Sequence, residues 1–183
     1  MKKQLRSFLD GKSGSENDIR EAFKRKIPIR IGTRSECFQP LEKSKGITLE
    51  ALRILKNYDY PVIINTKSTL ILDSDYFELI GKFGKDIIIQ ETISTPDDSF
   101  SHVVEPGAPV SSERFDVVKK FNEVGIRAFP RLEPALFHLR ESNADEEFNE
   151  YLDKTMDSKS EIVLSDTYHS SVCSPEIVDS FYE

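Results

Sequence analysis

Cysteine is scarce in this chain of 183 residues: Cys37 and Cys173 are its two thiols. They are too few and too far apart for a disulfide framework, and neither belongs to a CxxC or CxxxCxxC set of thiolate ligands. A self-contained zinc or iron–sulfur site is excluded unless histidine or carboxylates supply it. His102, His138 and His169 do not have the i, i+4 spacing that sets two imidazoles on one helix face, and each would serve as an ordinary loop histidine. No apolar run approaches the roughly 18 residues that span a bilayer, so no membrane partner is expected. The opening MKKQLRSFLDGKSGSEND has basic residues with no apolar stretch behind them, unlike a secretory signal, which makes a cytoplasmic protein the expectation. GxGxxG and Walker loops are absent. So is a basic excess: the net charge of −7 argues against a free-standing nucleic-acid binder, whose affinity rests on neutralised phosphates.

What is present belongs to a globular protein. Hydrophobic residues make up 38 % and charged residues 31 % of the sequence, outside the range of disordered chains, and the length suits one domain or one large piece of a barrel. The charge is uneven, with 12 acids and 2 bases in residues 141–183 against 8 bases and 4 acids in residues 1–26. A solvated face accounts for such a run, and so does a boundary. The expected organisation is an N-terminal helical segment over 1–26, β/α units over 27–139, and an acidic helix, strand and tail over 140–183.

Apolar periodicity switches along the chain between the two regular structures. Ser15 with Asp18 reads as a capping-box variant opening a helix through Ile19, Ala22 and Phe23. Ile27, Ile29 and Ile31 alternate as a strand, and Ala51, Leu52, Leu55 and Tyr58 form the stripe of a helix. Pro61 to Asn65 is a second strand. Tyr76, Leu79, Ile80 and Phe83 mark a helix with Ser74 as N-cap and Gly84 as stop, and Ile87 to Ile89 a third strand. Val117, Val118, Phe121 and Val124 form the next stripe, closed by Gly125 before a strand from Ile126. Phe148, Leu152 and Met156 mark a helix on the acidic segment, ahead of a last strand at Ile162 to Leu164. Continuous apolar strands separated by amphipathic helices imply an α/β fold with a parallel sheet.

Helix-to-strand connections are tight, while strand-to-helix connections are long: about 15 residues from Gly32 to Gly46 and nearly 20 from Thr92 to Val110, against roughly 2 to 6 in ordinary α/β units. Short loops on one rim and long ones on the other characterise a β/α barrel, whose site lies at the carboxyl ends of the strands. Candidate site segments are therefore Thr33 to Glu42, Thr66 to Ser68, Thr92 to Thr95 and Arg131 to Pro134.

Lys67 follows a strand directly. Its ammonium can bind a carboxylate or phosphate, or act as an amine nucleophile, or be a plain strand-end lysine. Thr66, Ser68, Thr92, Ser94 and Thr95 place hydroxyls on the same rim, suited to a small polar ligand and equally to turns and caps. Glu36, Glu42, Glu91, Glu105 and Glu133 lie near strand ends, where paired acids do general acid/base work when their separation permits. Cys37 is either a reactive thiol or a plain loop cysteine.

The segments IPIRIGTRSECFQPLE, PVIINTKSTLIL and DIIIQETISTPDDSFSHVVEPGAPVSSERFDVVKKFNEVGI resemble consecutive β/α units of the radical S-adenosylmethionine superfamily, in its spore photoproduct lyase-like branch. The resemblance covers residues 27 to about 136. It rests on Gly32 and Thr33, on Gln39, Pro40 and Glu42, on the Thr-Lys-Ser segment at Lys67, on the hydroxyl-rich turn after the third strand, and on Glu105 and Pro106. It implies a partial TIM-like barrel lacking the first strand and cluster loop. Lys67 and Thr92, with Ser94 as the alternative, match positions that hold the amino-acid end of S-adenosylmethionine in that branch; Ser35 matches another polar position, and Pro134 a proline near the adenine side.

Two departures qualify what is implied. The branch's CxxxCxxC loop lies upstream of the matched region and has no counterpart here, so a 4Fe–4S cluster expected of the family is not ligated by this chain. Where spore photoproduct lyase has a hydrogen-donating cysteine, Thr33 stands here, with Cys37 four residues later. The implied function is the S-adenosylmethionine-binding part of a radical enzyme, truncated or split, with a separate cluster-bearing N-terminal half as partner, an unknown substrate, and nucleic acid as substrate only by family analogy. Two alternatives stay open: a non-catalytic half-barrel binding module, and a cluster-free barrel lyase or aldolase using Lys67 as Schiff-base amine. The strand at Ile27 to Ile31 is expected to be an exposed edge.

Overall fold

A computed structural model describes residues 2–10, 17–136, 144–160 and 164–165. Ser15, His138, His169, Cys173 and the first two residues of the expected Ile162 strand lie outside the described residues, as does most of the acidic tail. The chain forms two compact units, one from residues 1–90 with 124–127 and the other from residues 91–123 with 128–183.

The first unit begins with α1 (Lys2–Leu9) and α2 (Asn17–Lys24). Strand β1 (Ile29–Ile31) is followed by the short α3 (Glu42–Lys45) and by α4 (Ile47–Asn57), β2 (Val62–Thr66) and α5 (Ser74–Gly81). A 3-10 turn at Gly84–Asp86 then leads into β3 (Ile87–Thr92). Strands β1 and β2 pair in parallel, Ile29 opposite Val62 and Ile31 opposite Ile64, and β3 is the next neighbour of β2. Strand alternation gives each strand two faces. Val62, Ile64, Ile87 and Ile89 are buried with Leu52, Leu55, Leu79, Ile80 and Phe83 of the helices, while Arg30 is exposed and its partner Ile63 half-buried. Tyr76, Leu79, Ile80 and Phe83 are all buried, as their spacing predicted. Asp73, not Ser74, is the N-cap of α5, and its side chain makes no capping bond.

The second unit takes the end of β3 and adds α6 (Asp98–Val104), α7 (Ser111–Glu123), β4 (Arg127–Leu132), α8 (Ala144–Asp157) and β5 (Leu164–Ser165). The long connection after β3 is thus interrupted by a helix of its own, capped by Asp97, whose carboxylate accepts from the amides of Ser99 at 2.8 Å and Phe100 at 3.1 Å. β4 follows β3 in the sheet and β5 follows β4, with Arg131 opposite Leu164 in a parallel pair. Its core gathers Ile93, Phe115, Leu132 and Tyr151, with Ala135 packed against them.

The acidic segment does form a helix, but Phe148, Leu152 and Met156 are 42 %, 36 % and 65 % exposed, and Glu147, Tyr151 and Thr155 are the buried stripe. Both sets recur at i, i+4, i+8, so spacing alone could not choose between them. The choice falls to Tyr151, whose ring meets Phe115 edge-on at 5.3 Å, and to Thr155, whose hydroxyl is satisfied by the carbonyl of Tyr151 at 2.8 Å.

Candidate functional site

In the first unit the loop after β1 is tied down by two glutamates. The Glu36 carboxylate accepts from the Thr66 hydroxyl at 2.7 Å and from the amides of Phe38 and Lys67, each at 2.8 Å, so it joins the loop to the end of β2. Glu42 accepts from the amides of Ile47 at 2.9 Å and Leu49 at 3.0 Å and from the Tyr76 hydroxyl at 2.9 Å. It thereby caps α4 from the preceding turn, a place where anionic oxygens meet the unpaired amides of a helix start. Burial pushes the Glu42 carboxyl up, but the amides of Leu49, Thr48 and Ile47 and the Tyr76 hydroxyl outweigh it and hold the group below its ordinary value. Burial and the same contact with Glu42 push the Tyr76 phenol up.

Gly32 closes this arrangement. Its φ is +86°, and a Cβ there would lie 1.9 Å from the backbone oxygen of Asn65, so only glycine lets β1 turn into its loop beside β2. The thiol of Cys37 lies 3.9 Å from the same oxygen. Thr66 and Ser68, two of the rim hydroxyls, are occupied within the protein: Thr66 bonds Glu36 and accepts from the Ser68 amide at 3.0 Å, and Ser68 donates to the Phe38 carbonyl at 2.9 Å. Lys67 is half-buried and Ser35 is exposed. Asn65 and Gln90 are buried in strands β2 and β3, and a carboxamide oxygen of each has no hydrogen-bond partner among the described residues.

In the second unit the end of β3 is fully buried. Thr92 is 5 % exposed, and Ser94 and Thr95 are 0 %. The Ser94 hydroxyl donates to the Glu105 carboxylate at 3.0 Å. The buried Arg114 contacts the other oxygen of Glu105 and donates to the Thr92 carbonyl at 3.0 Å. Pro134 is half-buried after a cis peptide bond from Glu133, whose carboxylate pairs with Arg131. Of the candidate carboxylates, Glu36, Glu42 and Glu105 carry structural hydrogen bonds, and Glu91 is buried on β3.

Sequence reasoning overlooked Arg114, although the signal was there: it lies three and four residues before Val117 and Val118, on the buried stripe of α7. A cation at a core position needs an anion beside it, and Glu105 supplies one.

Among the described residues no group of three or more His, Cys, Asp or Glu side chains can hold a metal ion. The donor set therefore does not fit an iron–sulfur cluster. It fits S-adenosylmethionine in kind. A lysine follows β2, and the Asn65 and Gln90 oxygens can accept from a ligand's N–H groups. Among the described residues no helix is long and apolar enough to cross a membrane.

No known protein-family profile matches the sequence. The chain is 27 % identical over 163 residues to the uncharacterized protein MJ0683 of Methanocaldococcus jannaschii, covering 76 % of this chain and 60 % of that protein. It is 31 % identical over 65 residues to the uncharacterized protein ORF301 of Acidianus two-tailed virus, covering 36 % of this chain and 21 % of the viral protein. The chain thus spans less than two thirds of each curated relative. Among solved structures it resembles Streptococcus suis SuiB, determined bound to precursor peptide SuiA, with a TM-score of 0.52 and 18 % identity over 67 % of this chain and 26 % of SuiB. At that identity the likeness carries the fold alone.

Proposed function

We propose that this chain contributes the S-adenosylmethionine-binding part of a spore photoproduct lyase-like radical enzyme, built as a partial β/α barrel. The observation that supports this reading best is the fold likeness to SuiB over 67 % of the chain, falling on a sequence whose strand-end segments resemble that branch in order and spacing. In this reading Lys67 meets the cofactor's carboxylate, Thr92, or Ser94 as the alternative, its amino-acid end, Ser35 contributes a loop hydroxyl, and Pro134 borders the adenine. The cofactor supplies an adenosyl radical when a reduced cluster is present. Because this chain's donors do not fit a cluster, the proposal assigns the cluster to a separate partner segment and routes no step through it here.

Titration calorimetry with S-adenosylmethionine tests it. The wild-type chain should bind, and Lys67→Ala should weaken binding about tenfold or more, in line with a charge-assisted contact of roughly 1.5–3 kcal/mol. No heat with wild type would sink the reading, and equal affinities would remove Lys67 from it. An aldolase reading is favoured instead if borohydride traps a carbonyl compound on Lys67.

A further inference from the structure

The segment after β3 is held by a polar cage that is costly to bury. Arg114 is 0 % exposed. Its Nε donates to the Pro109 carbonyl at 2.6 Å, and one terminal nitrogen serves both the Thr92 carbonyl at 3.0 Å and the Glu105 carboxylate. The other terminal nitrogen is buried without a partner among the described residues. Glu105 passes the grip on, accepting from the Ser94 hydroxyl at 3.0 Å, and Ser111 donates to the Thr95 carbonyl at 2.6 Å. Thr92, Ser94 and Thr95 are thus each held by the connection that runs from Glu105 to Arg114.

Stability alone does not call for this arrangement. A buried ion pair recovers little more than its desolvation cost, and well-packed apolar residues of similar volume are often as stable or more so. What a guanidinium adds is direction, since its planar donors fix several acceptors in one geometry. The acceptor fixed here is the backbone of Thr92, at the carboxyl end of a strand, where such folds place their ligands.

The geometry points to Glu105 and Arg114 as positioning residues that set the Thr92–Thr95 strand end for ligand binding. This rests on the S-adenosylmethionine reading of that strand end. On that reading Thr92 is the residue left to meet the ligand, while Ser94, its hydroxyl committed to Glu105, acts through the cage.

The test compares fold and affinity in one set of variants. The apolar pair Glu105→Leu with Arg114→Met should melt close to wild type, yet bind S-adenosylmethionine at least about tenfold more weakly in calorimetry. Glu105→Gln, which keeps the side-chain shape, covers the case in which the pair fails to fold. It should remain folded and lose about threefold or more in affinity, and Arg114→Lys should not restore binding. A folded variant of either kind that binds like wild type overturns the proposal. If wild type does not bind S-adenosylmethionine, the functional reading fails separately. The positioning claim is then read from amide hydrogen exchange over residues 92–96. Glu105→Gln should speed that exchange about tenfold without changing exchange in α4, and unchanged exchange overturns the claim.

Discussion

At the scale of single residues, Glu36, Glu42 and Glu105, which could pass for catalytic acids, are tied into hydrogen bonds within the protein. Glu42 sits in a segment where sequence gave no distance to another acid, and the structure turns it onto the start of α4 and onto Tyr76. Glu42→Ala should therefore cost about 3 kcal/mol, the sum expected for losing charge-assisted bonds and leaving buried donors unmet, measured by urea unfolding. The pH dependence follows from the same bonds. Its folded value is lowered from an ordinary 4.5, so its stabilisation is complete above that range and is lost as pH falls through the lowered folded value. Unfolding midpoints of wild type should drop on acidification below pH 4.5, and the Glu42→Ala midpoint should drop less. Parallel curves would show that Glu42 does not carry the effect. Gly32 is sharper still. With φ at +86° and the Asn65 oxygen 1.9 Å from any Cβ, Gly32→Ala should cost about 3 kcal/mol or more, seen as loss of the folded fraction by circular dichroism.

At the scale of elements, legibility followed the number of periods a segment offers and how one-sided they are. Helix α5 and the turn after it carry Tyr76, Leu79, Ile80 and Phe83 at one-sided spacing, and all four are buried. Helix α8 offered two interleaved stripes, and the one with the aromatic hydroxyl is inside. The Tyr151 hydroxyl is buried without a partner among the described residues, and burial pushes its phenol up. Tyr151→Phe should then leave stability unchanged or raise it by about 1 kcal/mol, whereas Tyr151→Ala should cost about 3 to 5 kcal/mol; thermal melts of the two variants check this. Strand β1 has β2 as neighbour, and no strand on its other side appears among the described residues. Ile29 donates its amide to the Pro61 carbonyl at 3.1 Å, so by strand alternation the amide of Arg30 faces away from β2. Arg30→Pro should be tolerated within about 1 kcal/mol, as proline is on an open edge, and Ile31→Pro should not. Equal losses from both would mean that the Arg30 amide is also bonded.

At the scale of the whole molecule, alternating strand and helix patterns made the α/β class legible, and the unequal loops located the strand ends. The contents of those loops were not legible. Arg114 and Glu105 are nine residues apart and Glu36 and Thr66 thirty, and pairings across such separations depend on how elements return to one another, which local periodicity does not encode. Absence, by contrast, is readable from the whole chain at once. The 4Fe–4S cluster that the sequence resemblance implies needs three cysteine thiolates from one loop, and the chain contains two cysteines separated by more than a hundred residues. Cys37, moreover, lies beside the Asn65 carbonyl near Gly32. Anaerobic reconstitution with iron and sulfide should accordingly leave the chain without the broad charge-transfer absorption of such clusters at about 400 nm, and with iron well below cluster stoichiometry. A stable cluster of full iron content on this chain alone would show that ligands other than cysteine complete it.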